Sequence, residues 1–199
     1  MKFVLASHNP GKLREMSEIL GGFGVELALP ADLGLTVDVE ETGETFAENA
    51  RLKARAVCAA AGLPAIADDS GLCVDALNGG PGVYSARYGG GELDDAGRCR
   101  LLLASMRGAS TRAAHFACAV ACAFPNGDLL TAEGRCDGAV AFAPLGKDGF
   151  GYDPVFLVPD KAKTFAQMTA AEKSAISHRG RALADFAKKL ETYLASHPS

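Results

Sequence analysis

What this 199-residue chain lacks narrows its role early. No apolar run approaches the ~18–20 residues that cross a bilayer. The opening run Phe3-Val4-Leu5-Ala6 stops at Ser7, too short for the core of a signal peptide. The chain is therefore expected to be cytoplasmic, with no membrane partner. An excess of positive charge is also missing: 20 Lys and Arg stand against 24 Asp and Glu, a formal net charge of −4. That balance excludes a general polyanion-binding surface and predicts no nucleic-acid partner, while leaving room for a local basic pocket. None of the six cysteines falls in a C-x-x-C pair, so no zinc site is expected. They read as small buried hydrophobes of a reducing compartment. Internal repeats, low-complexity tracts and obvious linkers are absent too. What is present is a chain 48% apolar and 22% charged, long enough for one large domain or two lobes.

Apolar spacing sets out the elements. Lys2 to Ala6 reads as a strand and S-H-N-P-G-K as a polar loop. Met16, Ile19 and Leu20 then mark one face of a helix, Leu13 to Leu20, that Gly21-Gly22 ends. A short strand from Val25 to Leu29 closes a βαβ unit. Thr45 followed three residues on by Glu48 is a capping-box signature and predicts a helix from Phe46 to Ala61. Ala65 to Ala67 and Leu72 to Asp75 read as two strands joined at a D-D-S-G corner, and Asp94 to Met106 as a helix. Arg112 to Phe124 alternates strictly, with Phe116, Cys118, Val120, Cys122 and Phe124 facing one way and alanines the other. A P-N-G-D turn returns the chain as Leu129 to Phe142, with Gly134 or Gly138 marking a bulge or twist. A strand at Val155 to Val158 and a helix from His178 to Ala195 complete the order. The sum is a mixed α/β protein, one domain over residues 1–199 whose long hairpin predicts two lobes.

Four stretches could carry chemistry. Ser7-His8-Asn9-Pro10-Gly11-Lys12 brings a hydroxyl, a lysine and backbone amides to a helix start, a ready phosphate cradle without the P-loop pattern. An acidic group, Glu40, Glu41, Asp68 and Asp69, could converge on Mg²⁺, which favours oxygen ligands and offsets the repulsion of adjacent buried carboxylates. For the glutamates a solvated turn serves equally well; for the Asp pair it serves poorly. Phe150-Gly151-Tyr152-Asp153 offers two aromatics on a glycine corner, either a stacking face for a base or a hydrophobic plug. Finally Lys173, His178, Arg179 and Arg181 crowd the start of the last helix, where the dipole disfavours cations, so an anionic partner is expected there.

Read together and in order, these stretches resemble the inosine triphosphate pyrophosphatases, the non-canonical purine nucleoside triphosphate pyrophosphatase family. The match runs from Ser7 to Leu183 through S-H-N-P-G-K, E-E-T-G-E-T-F-A-E-N-A-R-L-K-A, A-D-D-S-G-L, G-G-P-G-V-Y-S-A-R-Y, F-G-Y-D-P-V-F and E-K-S-A-I-S-H-R-G-R-A-L. Ser7 stands where many members have Thr, which keeps the hydroxyl. The resemblance implies an elongated mixed sheet flanked by helices, in two lobes with the active-site cleft between them. It implies a homodimer, Mg²⁺ dependence, and hydrolysis of ITP, dITP and XTP to monophosphate and pyrophosphate, which cleanses the nucleotide pool of deaminated purines. Carried over by position, Asp69 is the general base and Glu41 and Asp69 are the metal ligands, with Glu40 and Asp68 as neighbours of open role. Ser7 to Lys12, Ser70 and Lys173 then hold phosphate or sugar oxygens. Phe150, Gly151, Tyr152 and Asp153, with His178 and Arg179, enclose base and ribose, Arg179 reading the purine six-oxygen. The competing expectation is a house-cleaning pyrophosphatase for modified or pyrimidine nucleotides.

Overall fold

The computed structural model describes residues 2–7 and 9–197. Seven strands form one sheet in the order β2-β1-β3-β4-β5-β6-β7. They are β1 (Lys2–Leu5), β2 (Glu26–Ala28), β3 (Ala65–Val74), β4 (Ala113–Ala123), β5 (Leu129–Val140), β6 (Phe156–Val158) and β7 (Lys163–Thr164). β1 runs parallel to β2 and β3, whereas β6 is antiparallel to β5 and β7, so the sheet is mixed as expected. Five helices accompany it: α1 (Pro10–Gly21), α2 (Phe46–Ala61), α3 (Asp95–Ser105), α4 (Ala170–Ile176) and α5 (His178–Ser196).

Local chemistry accounts for the helix bounds. α1 begins three residues before the apolar periodicity does, because Asn9 caps it by accepting from the amides of Gly11 and Lys12, and Pro10 suits the first helical position. At α2 the Thr45–Glu48 capping box forms reciprocally, and Gly62 ends the helix at φ 64°, in the left-handed region. α4 was not anticipated, yet it carries the same signal: Thr169 and Glu172 form a second reciprocal box.

The largest departure is at Ala65–Val74. The D-D-S-G corner does not exist; the ten residues form a single strand. Gly71 is part of the extended strand, and strand geometry replaces the turn as what separates Asp68 from Asp69.

By compactness the chain divides into two units: Met1–Asp69, Cys118–Gly134 and Arg179–Ser199 in the first, Ser70–Ala117 and Arg135–His178 in the second. In the first, odd and even strand positions serve different helices. Phe3, Leu5, Ile66, Cys118 and Val120 pack with Met16 and Leu20 of α1 and Leu183 and Phe186 of α5. Val4, Ala65, Ala67, Ala119 and Ala121 pack with Ala50, Ala54 and Val57 of α2. The strict alternation of β4 thus sorts bulky side chains to one helical layer and alanines to the other. The second unit has its own core, built on Leu72, Leu102, Phe116, Phe156 and Phe165.

All six cysteines are free, and five are buried. Burial pushes the Cys99 thiol up to about 11 and the Cys118 thiol up to about 12, so almost none of either is thiolate near neutrality. Iodoacetamide at pH 8 should leave both unmodified in the folded protein and label them fully in guanidinium, as read by intact mass. Rapid native labelling of Cys118 would contradict its burial.

Candidate active site

In the first unit, strand alternation sends the adjacent aspartates to opposite faces of β3. Asp68 lies on the side of α1 and α5. Its carboxylate is 3.0 Å from Lys12 Nζ and accepts from Arg179 Nε at 3.2 Å and Nη2 at 3.1 Å. Arg179 reaches on to Glu15 of α1. Asp68 is 1% and Arg179 2% exposed. Burial alone would raise the Asp68 carboxyl, but Lys12, Arg179 and Lys53 together hold it below the usual carboxylate range.

Asp69 lies on the α2 side with different company. It accepts from Asn49 Nδ2 at 3.2 Å and from Lys53 Nζ at 3.1 Å, and Lys53 also donates to Glu41 at 2.6 Å. Here burial prevails over the lysines, and with the nearby Glu41 it raises the Asp69 carboxyl. Lys53 is raised as well: burial opposes its charge, yet Asp69, Asp68 and Glu41 outweigh it. Two identical neighbours on one strand are therefore driven to opposite proton affinities by what faces them, the pattern expected of a pair with separate tasks.

Asn49, Lys53 and Glu15 were not singled out in the sequence. Asn49 and Lys53 were legible, since they stand four apart on one face of α2 and Asn is a poor residue for a helix interior. Asn49 is wholly buried and also accepts from the Gly43 amide at 2.8 Å, tying the acidic loop to the helix. Glu40 is exposed. Glu15 gave no signal.

The polar loop before α1 differs from the expected open cradle. The Gly11 and Lys12 amides donate to Asn9 Oδ1 at 2.9 and 3.2 Å, and the Asn9 amide donates to Ser7 Oγ at 3.2 Å. The loop is thus closed by its own side chain, and Pro10 has no amide to offer. Lys12 points its ammonium to Asp68. His8 lies outside the described residues.

Ser70, the next residue of β3, is half-buried and falls in the second unit. That unit holds the other expected contacts. Lys173 Nζ, buried, donates to Asp153 Oδ2 at 2.7 Å and sits 4.8 Å from the centroid of the Phe150 ring. The same Asp153 oxygen accepts from the Phe150 amide at 2.9 Å. Gly149, at φ 78°, is open only to glycine at this corner, because a Cβ there would collide with the Asp153 carboxylate. Tyr152 is buried and donates to the Ser85 carbonyl at 2.8 Å, so of the two aromatics it is the plug. His178 is stacked on Phe116 at 4.5 Å.

Two expectations change in consequence. The anionic partners that repay the awkward cations near the last helix are internal: Asp153 for Lys173, and Asp68 with Glu15 for Arg179. Arg179 has a carboxylate to hold, a task that the expected contact to a base did not include.

Glu41 and Asp69 converge on one cation, the Lys53 ammonium. A pair of carboxylates that shares a cation at such distances suits Mg²⁺, which takes one or two protein carboxylates and completes its shell with phosphate oxygens and water. Among the described residues no group of three or more His, Cys, Asp or Glu could hold a metal, so a fuller protein cage is not offered.

Comparison with known proteins adds to this geometry. The model of the Ham1 family matches residues 3–189. A Bacillus subtilis protein named dITP/XTP pyrophosphatase is 47% identical over 190 residues, 94% of this chain and 96% of that one. A Nostoc protein of the same name is 52% identical over 195 residues, 97% of this chain and 96% of its own length. The structure of a HAM1 protein from Coxiella burnetii superposes with a TM-score of 0.88 at 43% identity, covering 96% of this chain and 99% of that one.

Proposed function

We propose, because the chain belongs to the Ham1 family, that its two aspartates divide the hydrolysis of a purine nucleoside triphosphate between them. The chain is a nucleoside triphosphate pyrophosphatase: it cleaves non-canonical purine nucleotides such as dITP and XTP to the monophosphate and pyrophosphate. Asp69 takes the proton from the water that attacks the α-phosphorus. A carboxyl raised by burial is a stronger base than a solvated one. Asp68, kept ionised, holds Lys12 and Arg179 in place. Lys53 and Lys12 offset the triphosphate's charge, so that attack in line is not repelled. Glu41 and Asp69 would hold Mg²⁺, which when bound neutralises phosphate oxygens and acidifies the attacking water.

Phe150 offers its ring to the base, and Asp153 and His178 supply polar contacts. A purine with an acceptor oxygen at position six pairs with donors there; an amino group leaves them unsatisfied, which costs roughly tenfold to a hundredfold per buried group. Action as a cytoplasmic homodimer belongs to the same proposal and is supported by the resemblance. Among the described residues no helix is long and apolar enough to cross a membrane.

The observation that carries the reading is the separate company of the two aspartates, Lys12 and Arg179 on Asp68 and Asn49 and Lys53 on Asp69. Its test is a panel of dITP, XTP, dATP, dGTP, dTTP and UTP at equal concentration, with product analysis and an EDTA arm. Expected are preferential cleavage of dITP or XTP, pyrophosphate released in one step, and activity lost to EDTA and restored by Mg²⁺. A preference for dTTP or UTP would support the pyrimidine-cleansing reading instead, and activity surviving exhaustive chelation would remove the metal.

A further inference from the structure

A second pair of adjacent aspartates, Asp94-Asp95, opens α3, and the chemistry above gives it no task. Asp94 has the ordinary one. It is the N-cap, and its Oδ1 accepts from the Gly97 amide at 2.7 Å. With capping done by its neighbour, Asp95 turns to the loop at 150–153: its Oδ2 accepts from the Gly151 amide at 2.7 Å, while Oδ1 lies 3.4 Å from Arg98 Nη1. Four residues on, and so on the same face of the helix, the buried Cys99 thiol donates to the Gly151 carbonyl, with S···O 3.4 Å. The peptide units on both sides of the Gly151 Cα are therefore held from one face of α3.

Gly151 is where such holding matters. It sits at φ 61°, a conformation open to glycine. On one side the Phe150 amide is held by Asp153; on the other Tyr152 is anchored by its hydroxyl to Ser85. The Phe150 ring and the Asp153–Lys173 pair keep their mutual placement only while the backbone between them keeps its own.

We propose that Asp95 and Cys99 are positioning residues for base recognition, fixing the Gly151 backbone so that the Phe150 ring and the Asp153–Lys173 pair meet a six-oxo purine already arranged. This rests on the reading that the loop at 150–153 contacts the base. A loop ordered in advance does not have to be ordered by the substrate, so the contribution appears in binding. The two bonds are unequal: that of Asp95 is short and charge-assisted, that of a thiol is weak. The thiol, pushed up to about 11 by burial and by Asp95 and Asp153, stays a donor throughout neutral pH. The Asp95 side chain is 56% exposed, so its removal touches the fold little.

The test is steady-state kinetics on dITP with thermal melts, on Asp95→Ala, Asp95→Asn, Cys99→Ala and Phe150→Ala. Asp95→Ala should raise KM about tenfold with kcat within about twofold and an unchanged Tm. Asp95→Asn, which keeps an acceptor oxygen, should recover most of that loss. Cys99→Ala should move KM the same way by about threefold. A wild-type KM in Asp95→Ala overturns the proposal, as does a joint fall of kcat and Tm that Asp95→Asn does not repair. Phe150→Ala separates the two readings: if it raises KM while Asp95→Ala does not, positioning fails and base contact stands; if neither moves KM, base contact fails with it.

Discussion

Asp69→Asn should lower kcat for dITP by about 10²–10⁴-fold while the protein still binds dITP, with Kd within about threefold of wild type. The carboxamide has nearly the carboxylate's volume and retains an oxygen for the Asn49 Nδ2–H, now 3.2 Å from Asp69 Oδ2. It cannot accept a proton from water. It also withdraws one of the carboxylates paired with Lys53, leaving the ion pair with Glu41, so positive charge facing the triphosphate does not fall. Pyrophosphate release measures the first quantity and calorimetry the second. Turnover near the wild-type rate would take the base role away from Asp69. Loss of binding along with turnover would make the residue a ligand-holding group instead.

Arg179→Met should cost about 3–5 kcal/mol of stability, which for a chain of this length lowers Tm by roughly 6–20 °C. The cause is not the loss of an attractive contact alone. Asp68 remains in the first unit, its side chain wholly buried beside an Arg179 side chain that is 3% exposed, and without the guanidinium it keeps Lys12 as its near cation. Removing both partners should cost less: Asp68→Asn combined with Arg179→Met should regain a large part of the loss, because the buried carboxylate's charge leaves with its guanidinium. Denaturant melts of both single variants and the double variant test this. A single variant within about 1 kcal/mol of wild type would show that water reaches the carboxylate.

Much of this was written locally enough to be read from the chain. Capping residues and apolar periodicity place α2 to the residue and α5 nearly so, since a helix end is decided within four residues. The alternation of β4 foretells its two layers. The acidic pair was marked out by its electrostatic improbability between apolar runs. What escaped was decided at a distance. Gly71 beside Ser70 looks like a corner in isolation, but β3 is an interior strand, between β1 and β4, and Ala65–Val74 stays extended. Likewise Arg179 and Lys173 looked available to substrate because their partners, 111 and 20 residues away in sequence, cannot be paired by spacing. Lys53 is legible: its place one turn after Asn49 on α2 follows from helix geometry.

The continuity of β3 has one more consequence. Asp68 and Asp69 are the same amino acid, so no difference of composition tells them apart; parity along the strand does. Deleting a single residue of the run 65–67 would shift the register by one, carrying Asp69 into the place of Asp68 beside Lys12 and Arg179 and Ser70 into the place of Asp69. Every side chain needed for hydrolysis would still be encoded, in its order. Yet the proton acceptor would become a salt-bridged strut, and a serine would stand where a carboxylate now meets Asn49 and Lys53. In this chain the count of residues before the pair is as much a determinant of chemistry as the residues themselves.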